Sequence, residues 1–135
     1  MNRAALKVVD TNVVTRIIVQ DDPAQLTVIE ALLQEALFVP STVLLESVWV
    51  LSSTYRMERT AIADALLRLL DLPAIEVETP DLVVWAIEKF RHGADFGDML
   101  HLIVGRGGEA FLTFDRGVSK ATKDGSPIPV VTLRG

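Results

Sequence analysis

Short apolar runs and longer amphipathic stretches alternate along this chain, and each change of rhythm falls at a polar, proline or glycine residue. Leu6 to Val9 reads as a brief strand ending at Asp10, and Thr11 to Gln20 as the helix that follows it. Asp21-Asp22-Pro23 supplies a cap and first turn for a second helix, since Asp accepts orphan amides and Pro suits the first helical position. That helix is predicted to run to about Glu35, with Leu26, Ile29, Leu32 and Leu33 on one face. Leu37 to Val39 is a second strand, and Pro40-Ser41-Thr42 opens a strongly apolar helix through about Tyr55. Residues 59–70 form another amphipathic helix, stopped by Pro73, before the strand Ile75 to Val77. Further helices are predicted over Pro80 to Arg91, ended by Gly93, and over Asp95 to Val104. Ala110 to Phe114 is a strand ending at Asp115, Arg116 to Thr122 a short helix, and Val130 to Thr132 the last strand. Strands alternating with helices across short turns predict an α/β fold. The expectation is a single domain over residues 1–135, a parallel-sheet α/β/α sandwich with helices on both faces. In such sheets ligands sit at the carboxyl ends of the strands.

Composition narrows the chemistry. The 135 residues contain no cysteine, which excludes disulfides, thiolate metal sites and cysteine nucleophiles. Two histidines, His92 and His101, cannot make a His-rich zinc site, so a metal would be held mainly by carboxylate oxygens, which favour magnesium or manganese. The net charge of −5, from 18 acids and 13 bases, argues at first sight against nucleic acid. Acids that converge on divalent cations would no longer repel a phosphate, however, and Arg116, Lys120 and Lys123 form a local basic patch or an ordinary solvated helix face. Neither a signal-peptide core nor an apolar run approaching the ~20 residues of a membrane span is visible, which points to a cytoplasmic protein. A mean hydropathy of +0.36 suggests apolar surface covered by a partner or a second copy.

Acids stand where a core is expected. Asp10 and Asp115 each close a strand at the ligand edge, although each also suits a helix cap or a turn. Glu46 lies within Val43-Leu44-Leu45-Glu46-Ser47-Val48-Trp49, where most helix faces should be buried. An unpaired buried carboxylate must find a base, a proton or a metal, unless it falls on a thin exposed stripe. Asp95 and Asp98 are one turn apart, with Asp95 also a natural N-cap and Asp98 placed to point inward. Carboxylates ~4 Å apart repel by about 4 kcal/mol at an effective dielectric near 20, so a cluster of them calls for divalent cations, which can activate water at phosphorus. Asn12 and Thr113, each two residues from one of these acids, could orient such a water.

The segments Val8-Val9-Asp10-Thr11-Asn12, Pro40 to Glu46, Ala94 to Asp98 and Leu112 to Arg116 resemble, in order, the four acidic motifs of the PIN-domain nucleases. The size and the lack of further domains look most like the VapC-type toxins of toxin–antitoxin pairs. The resemblance implies a magnesium- or manganese-dependent endoribonuclease with Asp10, Glu46, Asp98 and Asp115 as a metal-holding quartet. By the same resemblance Asn12 and Thr113 are polar supports, Asp95 is an accessory acid and Arg116 a phosphate contact. It also implies an RNA substrate, a homodimer and a small VapB-type antitoxin.

Two alternatives stand beside it. Asp10-Thr11-Asn12 after a strand is similar to the nucleophile loop of haloacid-dehalogenase-like phosphatases, but Asn12 stands where that family has a second Asp. A non-catalytic binding module of the same fold would use the acids as caps and salt bridges, and Glu46 should then have a basic partner. Gly105-Arg106-Gly107-Gly108 precedes a strand instead of opening a helix, so it is no nucleotide-binding loop.

Overall fold

The computed structural model describes residues 6–135, which divide into two compact units, 6–80 and 81–135. The first unit contains β1 (Lys7–Val8), α1 (Thr11–Ile18), α2 (Pro23–Leu32), β2 (Leu37–Phe38), α3 (Ser41–Ser53), α4 (Arg59–Asp71) and β3 (Ile75–Glu76). Its three strands pair in parallel in the order β1-β2-β3, with Leu37 opposite both Lys7 and Ile75. The central strand is apolar without interruption because a parallel strand is covered on both faces, and Leu37, Phe38 and Val39 are all buried. Backbone bonds from Val9 to Phe38 and from Val39 to Glu76 continue the ladder beyond the strands proper. The helices then cover apolar side chains with their own, α1 packing on α3 and α4, so that Val14, Leu44, Leu51, Ile62, Leu66 and Leu69 are buried.

The second unit contains α5 (Pro80–Arg91), α6 (Phe96–Val104), β4 (Phe111–Thr113), α7 (Arg116–Ala121) and β5 (Val130–Thr132). β4 and β5 are parallel, Phe111 opposite Val130 and Thr113 opposite Thr132, with α7 as the crossover packed on β5. Gly93, at φ +111°, reverses the chain after α5, where the amides of Gly93 and Ala94 close onto Phe90 and Lys89 carbonyls. Phe90 and Phe96 then meet edge to face, centroids 5.8 Å apart, on either side of that turn.

Helices alternating with parallel strands are thus present as the residue pattern predicts. Four strands are shorter than expected, Lys7–Val8, Leu37–Phe38, Ile75–Glu76 and Phe111–Thr113, the five strands of the described residues pair as a three-stranded and a two-stranded sheet, and several helices stop early. α1 stops at Ile18, short of Gln20, because the Gln20 side-chain amide donates to the Ile17 carbonyl and replaces the next helical turn. α2 ends at Leu32, short of Glu35, as Gln34 and Glu35 tighten into three-residue turns on Ala31 and Leu32. α3 ends at Ser53, short of Tyr55, where the Thr54 and Tyr55 amides share the Val50 carbonyl.

Candidate active site

Apart from Glu46, which lies within α3, each predicted site residue stands at an element end or a first helical turn, and the two units carry separate parts of the set. In the first unit, Asp10 follows β1 and caps α1, its Oδ1 accepting the Val13 amide at 3.1 Å. This satisfies one of the orphan donors of the helix start and fixes the carboxylate at the strand's carboxyl end. Thr11 is buried beside it, and its hydroxyl donates to Glu46 Oε1 from α1 to α3. Asn12 is exposed, its carbonyl accepting the Thr15 hydroxyl, and its side chain borders a cavity of about 320 Å³ with Arg16 and Gln25.

Glu46 departs from the expectation of a largely buried helix. It is exposed, as are Leu45 and Trp49 on the same helix, while Leu44, Ser47, Val48 and Leu51 face the core. The apolar character of α3 therefore includes an exposed apolar stripe, and Glu46 lies beside it. An exposed carboxylate needs no base, so the absence of an ion pair to Glu46 among the described residues does not discriminate against a binding module.

In the second unit, Asp95 caps α6 by accepting the Asp98 amide at 2.8 Å, and Asp98 occupies the first turn, half-buried. Burial pushes the Asp98 carboxyl above its ordinary range, and the negative charges of Asp95 and Asp115 push it the same way, with His101 opposing them. Asp115 follows β4 and caps α7, accepting the Gly117 amide at 2.7 Å. Its own amide donates to the Thr113 hydroxyl at 2.9 Å, which makes Thr113 a backbone brace for Asp115. Arg116 is exposed on the next residue.

These donors suit a hard cation. All are carboxylate oxygens, and Asp98 sits in a field of like charge that a cation would reverse. Asp10, Asp95 and Asp115 each use Oδ1 for a backbone amide, which leaves Oδ2 for another ligand. Among the described residues no three acids or histidines are grouped closely enough to enclose an ion. Magnesium commonly keeps several waters and takes only one or two carboxylates plus substrate phosphate, a demand that the acids of the second unit alone could meet.

Two residues important to this geometry escape a reading of the residue pattern. Thr11 is the hydroxyl donor to Glu46, and its signal is only its place after a strand-ending Asp. Gly117 is the amide donor to Asp115 and lies two residues beyond it, as a capping partner must.

Parallel strands followed by Asp10 and Asp115, with Asp95 and Asp98 at the start of α6 and Glu46 within α3, make this an acid-bearing α/β protein. Residues 7–124 match the PIN domain family, and the chain belongs to that family. PIN domains are generally nucleases that typically use divalent metals, which favours a nuclease over the phosphatase alternative. The match covers all four acidic segments and runs through both compact units. No curated protein and no solved structure was found to match the chain. Among the described residues no helix is long and apolar enough to cross a membrane.

Proposed function

We propose that this chain is a magnesium- or manganese-dependent endoribonuclease and the toxin of a toxin–antitoxin pair, with Asp10, Glu46, Asp98 and Asp115 as its acidic quartet. The observation that carries the reading is a PIN-family match over residues 7–124, a span that includes all four acids. The raised Asp98 carboxyl supports it, because burial and the charges of Asp95 and Asp115 disfavour its ionised form and a bound cation would offset both.

A bound cation would lower the pKa of a water and offset the charge that builds at phosphorus. The chain's own part is to position groups. Thr11 orients Glu46, the Val13 amide orients Asp10, and Gly117 with Thr113 orients Asp115. Asp95 holds the start of α6 and with it Asp98, while Asn12 stands beside Asp10 as a polar support. Arg116 offers a planar donor pair suited to a phosphate. Hydrolysis joins the water oxygen to phosphorus, breaks one P–O ester bond and sends a proton to the departing oxygen.

The reading includes a homodimer, a small VapB-type antitoxin and a cytoplasmic place of action, where RNA is at hand. Leu45 and Trp49, one turn apart on α3 and 38% and 67% exposed, offer apolar surface of the kind that interfaces cover.

The test is to express the wild type and Asp98→Asn in a bacterial host and map new 5′ ends across all cellular RNA. New ends at one or a few sites, with the wild type alone, are expected. Identical maps, with no manganese-dependent cleavage of total RNA in vitro, would overturn the nuclease reading in favour of a binding module.

A further inference from the structure

At the end of the β4–β5 ladder, Phe114, Arg116, Ser119, Thr132 and Arg134 line one open cavity of about 800 Å³. Phe114 is 70% exposed although it is a large apolar side chain. It is nevertheless held in a defined place. The residue before it, Thr113, accepts the Leu133 amide on its carbonyl at 2.7 Å and the Asp115 amide on its hydroxyl. The residue after it, Asp115, is pinned by the Gly117 amide. The backbone of Gly135 lies against one edge of the ring, where an added Cβ would stand 3.4 Å from Cε1. The backbone on either side of Phe114 is thus held, and its aromatic face is left to solvent.

Its surroundings are cationic. Arg116 and Arg134 share the cavity with Phe114, both are exposed, and neither is paired with an acid among the described residues. In a chain of net charge −5, two guanidiniums left free around one exposed ring are a local reversal of sign. Ser119 and Thr132 bond to each other through their hydroxyls and form a polar wall.

We propose that this cavity is a nucleotide subsite for single-stranded RNA, in which a base stacks on Phe114 and adjoining phosphates lie on Arg116 and Arg134; the proposal rests on the ribonuclease reading for its substrate. Aromatic planes bind bases of any sequence through their π faces, and guanidinium forks bind phosphate through paired donors. An apolar protein partner would gain from the ring but would bury two unpaired arginines, whereas RNA satisfies both. A duplex is excluded, since its base faces are already stacked.

The test measures binding of a short fluorescein-labelled RNA of mixed sequence to the full chain in EDTA, by anisotropy, so that no cleavage is needed. Phe114→Ala is expected to weaken binding about tenfold with the salt dependence unchanged, and Phe114→Trp to restore it. Arg134→Ala is expected to weaken binding and to flatten the salt slope by about 0.7. The corresponding duplex should bind more weakly than the single strand. Equal affinity of wild type and Phe114→Ala, with both folded by circular dichroism, overturns the proposal. So does a Phe114→Ala variant that keeps its RNA affinity and loses self-association in sedimentation, which would make the surface a contact between copies. Failure of the nuclease reading looks different: no metal-dependent cleavage, with Phe114-dependent RNA binding intact.

Discussion

A Cβ on Gly117 would stand 2.9 Å from Oδ1 of Asp115, closer than nonbonded atoms allow. The cause is the cap itself: Oδ1 accepts the Gly117 amide at 2.7 Å and fills the space that a side chain would need. The atom that must yield is the carboxylate end, which can swing away at little cost to the fold.

Gly117→Ala is therefore expected to leave stability within about 1 kcal/mol of wild type while displacing Asp115. A displacement near 1 Å at a reacting centre costs about a hundredfold in rate. Cleavage assays beside thermal melts check this, and a fully active Gly117→Ala would remove Asp115 from the site.

Thr11→Val keeps the shape of a buried side chain and deletes the hydroxyl that donates to Glu46. The loss in stability should be about 1 kcal/mol. Glu46 would lose its orientation, so the metal concentration for half-maximal cleavage should rise while Thr11→Ser stays close to wild type. A metal titration of the three proteins decides it.

The two displaced carboxyls of the second unit predict opposite pH behaviour. Asp98 is raised above 3.8, first by burial and then by Asp95 and Asp115, so its ionised form costs stability above the raised value and costs nothing below 3.8. Metal-free Asp98→Asn should thus melt at or above the wild-type temperature at neutral pH, the gap closing in acid. Manganese should reverse the order by stabilising only the wild type. Asp124 is lowered, first by its hydrogen bond from Lys89, so its contribution is present above 3.8 and lost as pH falls through the lowered value. Asp124→Asn should accordingly differ from wild type at neutral pH and converge with it in acid. Melting curves across pH, with and without manganese, test both signs.

If Leu45 and Trp49 form the dimer contact, a charge at its centre is costly, and Trp49→Glu should convert a dimer to a monomer in sedimentation. A wild type that sediments as a monomer at all concentrations would remove the homodimer from the reading.

The residue pattern carried the element order well, because each boundary has a local chemical cause. Asp22 with Pro23 starts α2, Gly93 ends α5, and the unbroken run Leu37-Phe38-Val39 marks the central parallel strand. The helix ends were less legible, since Gln20 and Val50 close their turns through contacts that no propensity encodes. The capping acids were legible because Asp10, Asp95 and Asp115 follow capping rules that act within three residues.

The exposure of Glu46 was not legible. Its helix is apolar on most sides, and only the packing of α1 and α4 decides which side meets water. Local order in the chain thus determined the class of fold and the positions of Asp10, Asp95, Asp98 and Asp115 at or near element ends, since these depend on neighbours a few residues away. Tertiary structure alone decided that Thr11 serves Glu46 across 35 residues, that Phe114 lies open between two arginines, and that Asp98 is held against the charges of Asp95 and Asp115. Those relations depend on distances through space, which residue spacing along the chain does not specify.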